Sequence, residues 1–291
     1  MFKGSLVALI TPFKNGAVDE AAFRKFVDWQ IEEGTEGLIP TGTTGESPTL
    51  SHDEHKRVVE LCIEQAAGRV PVIAGTGSNS TEEAIELTQH AKEAGADAAL
   101  IVTPYYNKPT QEGMYRHFKA IADAVDIPII IYNIPPRSVI DMSVETMKRL
   151  AEIPNIVGVK DATASATRPI ETRLAIGPDF CQLSGEDGTV VPYLSQGGHG
   201  CISVTANVAP GPLSRMHKAW GEGDLDTVRT INDRLYPLHQ ALFCESSPGP
   251  VKYAASLLGI CEATARLPIC EIADSSKQKV ESALRHAGLL N

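Results

Sequence analysis

The sequence predicts a (β/α)8 barrel of the TIM type carrying a C-terminal helical appendage, and three observations predict it. Short apolar runs alternate with helix-length amphipathic stretches, there are eight such runs, and each run is apolar throughout rather than alternating. The runs recur about every 20 to 35 residues, the length that a strand, a crossover helix and two loops require. Strands apolar on both sides belong to a parallel sheet covered on both faces. A doubly wound open sheet is the competing fold. It usually carries a Gly-rich turn after its first strand, whereas the first run here leads into Thr11-Pro12-Phe13.

In order, residues 6–10 form the first run and 18–33 the helix after it. Residues 37–40 are the second run and lead into Gly42-Thr43-Thr44-Gly45-Glu46; a helix then starts at Ser51, where Ser51-x-x-Glu54 fits a capping box. Residues 70–74 are the third, followed by a second capping-box pattern, Ser80-x-x-Glu83. Residues 98–102, 127–132, 156–160, 180–184 and 200–204 complete the eight. Beyond about residue 210 the strand pattern stops and helical spacing takes over, in Leu213, Met216, Trp220, Val228, Ile231, Leu235, Leu238 and Leu242. The expected division is a barrel over 1–209 and a helical domain over 210–291.

With 43% hydrophobic residues in 291, the chain can bury a sizeable core. A net charge of −10 argues against nucleic acid or an acidic membrane as partner, since either demands a basic patch. The six cysteines are widely spaced and lack any C-x-x-C pair, which predicts buried, reduced thiols. Only five apolar residues precede Thr11-Pro12, too few for a signal-peptide core, and no later stretch approaches a membrane span. A cytoplasmic protein is expected.

Catalytic groups of barrel enzymes sit at the C-terminal ends of strands, where the loops converge. That rule collects Thr43 and Thr44, Tyr105 and Tyr106, Tyr132 with Arg137, Lys160, Gly185-Glu186-Asp187, and the region of Ile202 and Ser203. Alone, Lys160 reads as a strand-end charge paired with Asp161 or another carboxylate. Gly-Thr-Thr-Gly alone reads as turn chemistry, Tyr105-Tyr106 as an interface rim, and Arg137 as a surface ion pair. Together they suit carbonyl chemistry through a Schiff base. A lysine amine in surroundings that disfavour its ammonium condenses with a keto group, and hydroxyls relay the protons. The Gly42–Gly45 turn suits a small carboxylate and Arg137 a second one. No Walker loop or H-E-x-x-H is present, and His52 and His55 lack a zinc-type companion set, so neither metal nor cofactor is expected.

Five motifs carry a resemblance that runs through essentially the whole chain. They are Gly42-Thr43-Thr44-Gly45-Glu46, Thr103-Pro104-Tyr105-Tyr106-Asn107, Tyr132-Asn133-Ile134-Pro135-Pro136-Arg137, Gly158-Val159-Lys160-Asp161-Ala162-Thr163 and Gly197-Gly198-His199-Gly200. In these the chain resembles the dihydrodipicolinate synthases (4-hydroxy-tetrahydrodipicolinate synthases), within the pyruvate-dependent class I aldolases. The resemblance implies a lyase of diaminopimelate and lysine biosynthesis that joins pyruvate to L-aspartate 4-semialdehyde. It implies that Lys160 forms the Schiff base and that Tyr132 moves protons with Thr43 and with Tyr106 from a neighbouring subunit. Thr44, Gly185 and Ile202 would hold pyruvate, and Arg137 the carboxylate of the semialdehyde. It further implies a homotetramer built as a dimer of dimers. An L-lysine effector site would lie at Ser47, His52, His55, Asn79, Glu83 and Tyr105. Pro48 and Asp161 depart from the more familiar residues of the family. Two rivals remain: a related aldolase such as N-acetylneuraminate lyase or a keto-deoxy-sugar acid aldolase, and a catalytically silent metabolite-binding barrel.

Overall fold

A computed structural model describes residues 2–291. Eight parallel strands share one sheet: β1 (Gly4–Ala8), β2 (Gly37–Ile39), β3 (Ile73–Gly75), β4 (Ala98–Val102), β5 (Ile129–Asn133), β6 (Ile156–Asp161), β7 (Cys181–Ser184) and β8 (Gly200–Ser203). Their order is β2-β1-β8-β7-β6-β5-β4-β3, that of a (β/α)8 TIM barrel. A short antiparallel ribbon pairs Phe13–Lys14 with Ala17–Val18. The helices are α1 (Glu20–Glu32), α2 (His52–Ala66), α3 (Thr81–Ala94), α4 (Gln111–Ala124), α5 (Pro135–Ser138), α6 (Val144–Ala151), α7 (Arg168–Ile176), α8 (Val190–Ser195), α9 (Pro210–Glu222), α10 (Leu225–Ala241), α11 (Gly249–Leu257) and α12 (Asp274–His286). No helix among the described residues is long and apolar enough to cross a membrane.

The described residues pack as two compact units: Phe2 and Lys3 with Pro71–Ile202, and Gly4–Val70 with Ser203–Asn291. In the first unit, Ile101, Ile129, Ile131 and Val159 of the strands are buried with Phe118, Ile121, Met147 and Leu150 of the helices. Each such side chain removed from water contributes roughly 1.5–3 kcal/mol. β5 and β6 pair with Tyr132 opposite Lys160 and Asn133 opposite Asp161, after a register shift between Ile129 and Ile130. Gly158 is required where β6 meets β7, because a Cβ there would collide with the carbonyl oxygen of Cys181.

Helix α4 carries His117, which is buried, lies edge-on to Phe118 and has Nδ1 2.9 Å from Thr81 Oγ1. Burial pushes this imidazole down to about 4. The unfolded chain binds the proton near pH ~6.5 and the folded one only near 4, so the neutral ring contributes stability above pH ~6.5 that is lost on acidification. Unfolding free energy is expected to fall by roughly 3 kcal/mol between about pH 6.5 and about pH 4 from this group. Denaturant melts of the native chain and of His117→Gln at both pH values check it, the variant showing a smaller fall.

In the second unit, α9 packs on β1, and α10 packs against α9 and α12. Leu213, Met216, Val228, Leu235, Leu238 and Leu242 are buried as their spacing predicts, while Trp220 and Ile231 are half-buried. Ser51 forms the full capping box with Glu54 at the start of α2.

Three local expectations need correction. β1 spans Gly4–Ala8 instead of 6–10: Leu9 and Ile10 are buried, but the Ile10 N–H goes to Asn207 Oδ1 at 2.9 Å, so their apolarity reports burial beyond the end of the strand. At α3 only half the capping box forms. Ser80 accepts from the Glu83 N–H, and the Glu83 carboxylate instead takes the Ser78 hydroxyl. Cys62, Cys181 and Cys201 are buried, Cys244 and Cys261 half-buried, but Cys270 is exposed.

Candidate active site

The first unit brings two of the expected residues into direct contact. Lys160 and Tyr132 stand opposite each other on neighbouring strands, where every preceding side chain is aliphatic or Gly. Both are buried, at 4% and 6% exposure, and Lys160 Nζ lies 4.1 Å from the centre of the Tyr132 ring. An amine packed on a phenol, with no carboxylate salt-bridged to it among the described residues, is not the strand-end ion pair that Lys160 taken alone suggests.

The neighbouring Asp161 turns away from the amine. Its carboxylate accepts from the Thr163 N–H at 2.9 Å and from the Thr163 hydroxyl at 3.2 Å, and burial pushes its pKa up. The end of β7 completes the surroundings. Gly185 donates its N–H to Asp161 O at 2.7 Å, and a Cβ at Gly185 would lie 3.2 Å from Lys160 Cε and 2.8 Å from Ala162 Cβ. A side chain at 185 would therefore press on the lysine. Burial also pushes the Glu186 carboxyl up, Asp187 adds to the rise, and the charges of Lys160 and Arg137 oppose it. Glu186 thus senses both cations, a relation its place in Gly185-Glu186-Asp187 does not reveal.

Arg137 is exposed on the short helix α5, directly after β5. Ile202 is fully buried on β8. Tyr106 is 88% exposed and holds φ at +66°, a left-handed conformation that a bulky residue rarely adopts. Tyr105 is half-buried and accepts at its main-chain oxygen from Asn79 Nδ2 at 3.3 Å; burial pushes its phenol up, and the Glu83 charge adds to the effect. Asn79, Glu83 and Tyr105 are therefore neighbours.

Thr43 and Thr44 belong to the other unit, in the turn after β2. That turn is closed by Gly45 N–H to Gly42 O and Glu46 N–H to Thr43 O, each 3.1 Å, and the Thr11 hydroxyl donates to Gly45 O at 2.7 Å. Glu46, at φ +59°, sends its carboxylate inward to Lys252 Nζ at 2.6 Å and to the Arg266 N–H at 2.8 Å. Ser47 begins the 3-10 turn that follows, His52 is exposed at the start of α2, and His55 is buried one turn on. Sequence reasoning missed the Glu46–Lys252 pair; the available signal was a lone lysine inside the apolar stretch Gly-Pro-Val-Lys-Tyr-Ala-Ala. Among the described residues, no group of three or more His, Cys, Asp or Glu side chains is arranged to hold a metal ion.

The model of the dihydrodipicolinate synthetase family matches residues 1–287. The chain is 68% identical over 290 residues to the 4-hydroxy-tetrahydrodipicolinate synthase of Rhodospirillum centenum, with all of both chains covered. Among solved structures it is similar to the dihydrodipicolinate synthase of Aquifex aeolicus, with 48% identity, TM-score 0.97 and 99% of each chain covered. It is equally similar in fold to the chloride-inhibited dihydrodipicolinate synthase of Acinetobacter baumannii in complex with pyruvate, with 47% identity, TM-score 0.97 and 100% of each chain covered.

Proposed function

The chain belongs to the dihydrodipicolinate synthetase family, and from that premise we propose that it is a lyase condensing pyruvate with L-aspartate 4-semialdehyde in the route to diaminopimelate and lysine. The observation that carries the mechanism is the buried contact of Lys160 Nζ with the Tyr132 ring at 4.1 Å. The neutral amine adds to the keto carbon of pyruvate, and loss of water from the carbinolamine leaves an iminium. Loss of a methyl proton makes the enamine, whose carbon attacks the aldehyde. The amine of the semialdehyde then adds to the iminium carbon and displaces Lys160, closing the ring and freeing the enzyme. Each step moves a proton, and we assign its transfer to the Tyr132 hydroxyl.

We assign Thr43 to the proton relay together with Tyr132, and Thr44, Gly185 and Ile202 to the pyruvate carboxylate and keto group. Arg137 takes the second carboxylate, in the bidentate manner suited to guanidinium. Tyr106 joins the relay from a neighbouring subunit. Its 88% exposure in the single chain supports a role completed by assembly, and a dimer of dimers is the assembly we propose. Residues 1–209 form the catalytic barrel and 210–291 its helical appendage. L-Lysine is the proposed effector at Ser47, His52, His55, Asn79, Glu83 and Tyr105, supported by the nearness of the last three. Initial rates should fall as lysine is added; a curve flat into the millimolar range removes the effector.

Consumption of both substrates in equal amounts by the purified chain tests the reaction. Release of pyruvate from N-acetylneuraminate, with no pyruvate consumed alongside the semialdehyde, would assign the chain to a different aldolase reaction.

A further inference from the structure

Asn133 is a polar side chain with no exposure at the end of an otherwise apolar strand, immediately after Tyr132. Its amide is engaged at both ends. Nδ2 donates to Asp141 Oδ1 at 2.7 Å, and Oδ1 accepts the Met142 N–H at 3.0 Å. The main-chain oxygen of Asn133 also accepts from the Ala162 N–H at 2.9 Å, two residues beyond Lys160. One buried amide therefore ties the far end of the segment 134–142 back to the strand that bears Tyr132. That segment carries Arg137.

Asp141 is held from outside as well. Its Oδ2 accepts from Arg168 Nη2 at 2.6 Å, its main-chain oxygen accepts from Gln111 Nε2 at 2.8 Å, and Arg168 Nη1 donates to Met142 O at 3.0 Å. Within the segment the buried Ser138 hydroxyl lies 2.9 Å from Ile134 O and 3.0 Å from Ile140 O. Nothing in the condensation itself uses Asn133, Asp141 or Arg168. A buried polar group must be satisfied, but a leucine would fill this space without any such demand. What the amide adds is a fixed geometry for the segment.

We propose that Asn133, with Asp141 and Arg168, is a positioning clasp that sets the Arg137 segment and thereby the recognition of the second substrate's carboxylate. The proposal rests on the reading that Arg137 receives that carboxylate. Bidentate recognition demands orientation, and a misplacement of about 1 Å in a substrate-holding group can cost on the order of 10²-fold.

The test measures separate KM values for pyruvate and for aspartate semialdehyde on the full-length chain. Arg137→Ala is expected to raise the semialdehyde KM about tenfold or more and to leave the pyruvate KM within about twofold. Asn133→Asp sets two carboxylates against each other and should reproduce that split, about tenfold on the semialdehyde alone. The double variant Asn133→Asp/Asp141→Asn should return the KM to within about threefold of native. In it the amide of residue 141 donates to the carboxylate of residue 133 and still accepts from Arg168. Should Asn133→Asp fail to fold, Asp141→Ala, at a half-exposed side chain, must show the same selective rise.

An unchanged semialdehyde KM in Asn133→Asp or Asp141→Ala, with Arg137→Ala impaired, overturns the clasp alone. So does an equal loss toward both substrates that the double variant does not rescue. An unchanged KM in Arg137→Ala overturns the underlying reading, and the clasp with it.

Discussion

Lys160→Ala is expected to lower kcat for the condensation by at least about 10³-fold, with native circular dichroism retained. The methyl group of pyruvate must lose a proton and become a nucleophile. The protonated nitrogen of the iminium accepts the electron pair that this leaves, and without Lys160 that nitrogen is gone. A loss of about 10³-fold corresponds to about 4 kcal/mol of transition-state stabilisation. Lys160→Arg separates the two properties of the side chain, because a guanidinium keeps the positive charge and cannot condense with a ketone. It should be as inactive as the alanine variant. An arginine variant within about tenfold of native would mean that charge, and not covalent chemistry, is what the residue supplies.

Lys252→Met is expected to cost stability on the same large scale, about 3–5 kcal/mol. Lys252 and Glu46 have side-chain exposures of 0% and 2% and meet at 2.6 Å. The ammonium also donates to Thr11 O at 2.9 Å and sits 4.1 Å from the centre of the Phe13 ring. On that ring the Arg266 guanidinium also lies, at 4.3 Å. Burial pushes the Lys252 pKa down, and the Glu46 carboxylate beside it opposes the fall. Methionine matches the stem of lysine but leaves the carboxylate buried with no ammonium, which is the costly half of a broken pair. Relative to a typical total of about 5–15 kcal/mol, such a loss is severe and should lower Tm by on the order of 10 °C.

Glu46→Gln in the Lys252→Met background removes the stranded charge, while the introduced amide oxygen can still accept from the Arg266 N–H. The double variant is expected to be more stable than Lys252→Met alone. A Tm for Lys252→Met within about 2 °C of native would show that the pair contributes nothing measurable. Because Glu46 closes the turn that carries Thr43 and Thr44, the same variant is expected to lose part of its kcat even where it remains folded.

The eight runs were legible because strands of a parallel barrel are apolar on both faces, so burial and strand coincide over most of their length. They part at the ends. Leu9 and Ile10 are buried without belonging to β1, and Asn133, a residue of low strand propensity, belongs to β5 because it lies opposite Asp161. The Ser51 capping box formed as its spacing predicts. The Ser80 box formed only on its serine side, because Ser78, outside the four-residue pattern, takes the Ser80 N–H at its hydroxyl and gives its own proton to the Glu83 carboxylate.

The candidate site is legible in the same uneven way. Lys160 and Tyr132 stand near strand ends, and Arg137 and the threonines in the segments that follow β5 and β2, so position in the repeat marks them as candidates. Their supports do not follow from position. Asp141 and Arg168 meet across 27 residues, and Glu46 and Lys252 across 206, and no local pattern links partners that far apart. Only two oddities pointed toward them: an asparagine closing an apolar strand and a lysine inside an apolar helix.

The central claim is that Lys160 is an amine that forms an iminium with pyruvate. Incubating the native chain with pyruvate, reducing with borohydride and measuring intact and peptide masses tests it most directly. One reduced pyruvate adduct per chain, confined to the peptide containing Lys160 and absent from Lys160→Ala, is the predicted result. No adduct on the native chain, or an adduct on another lysine, would contradict it.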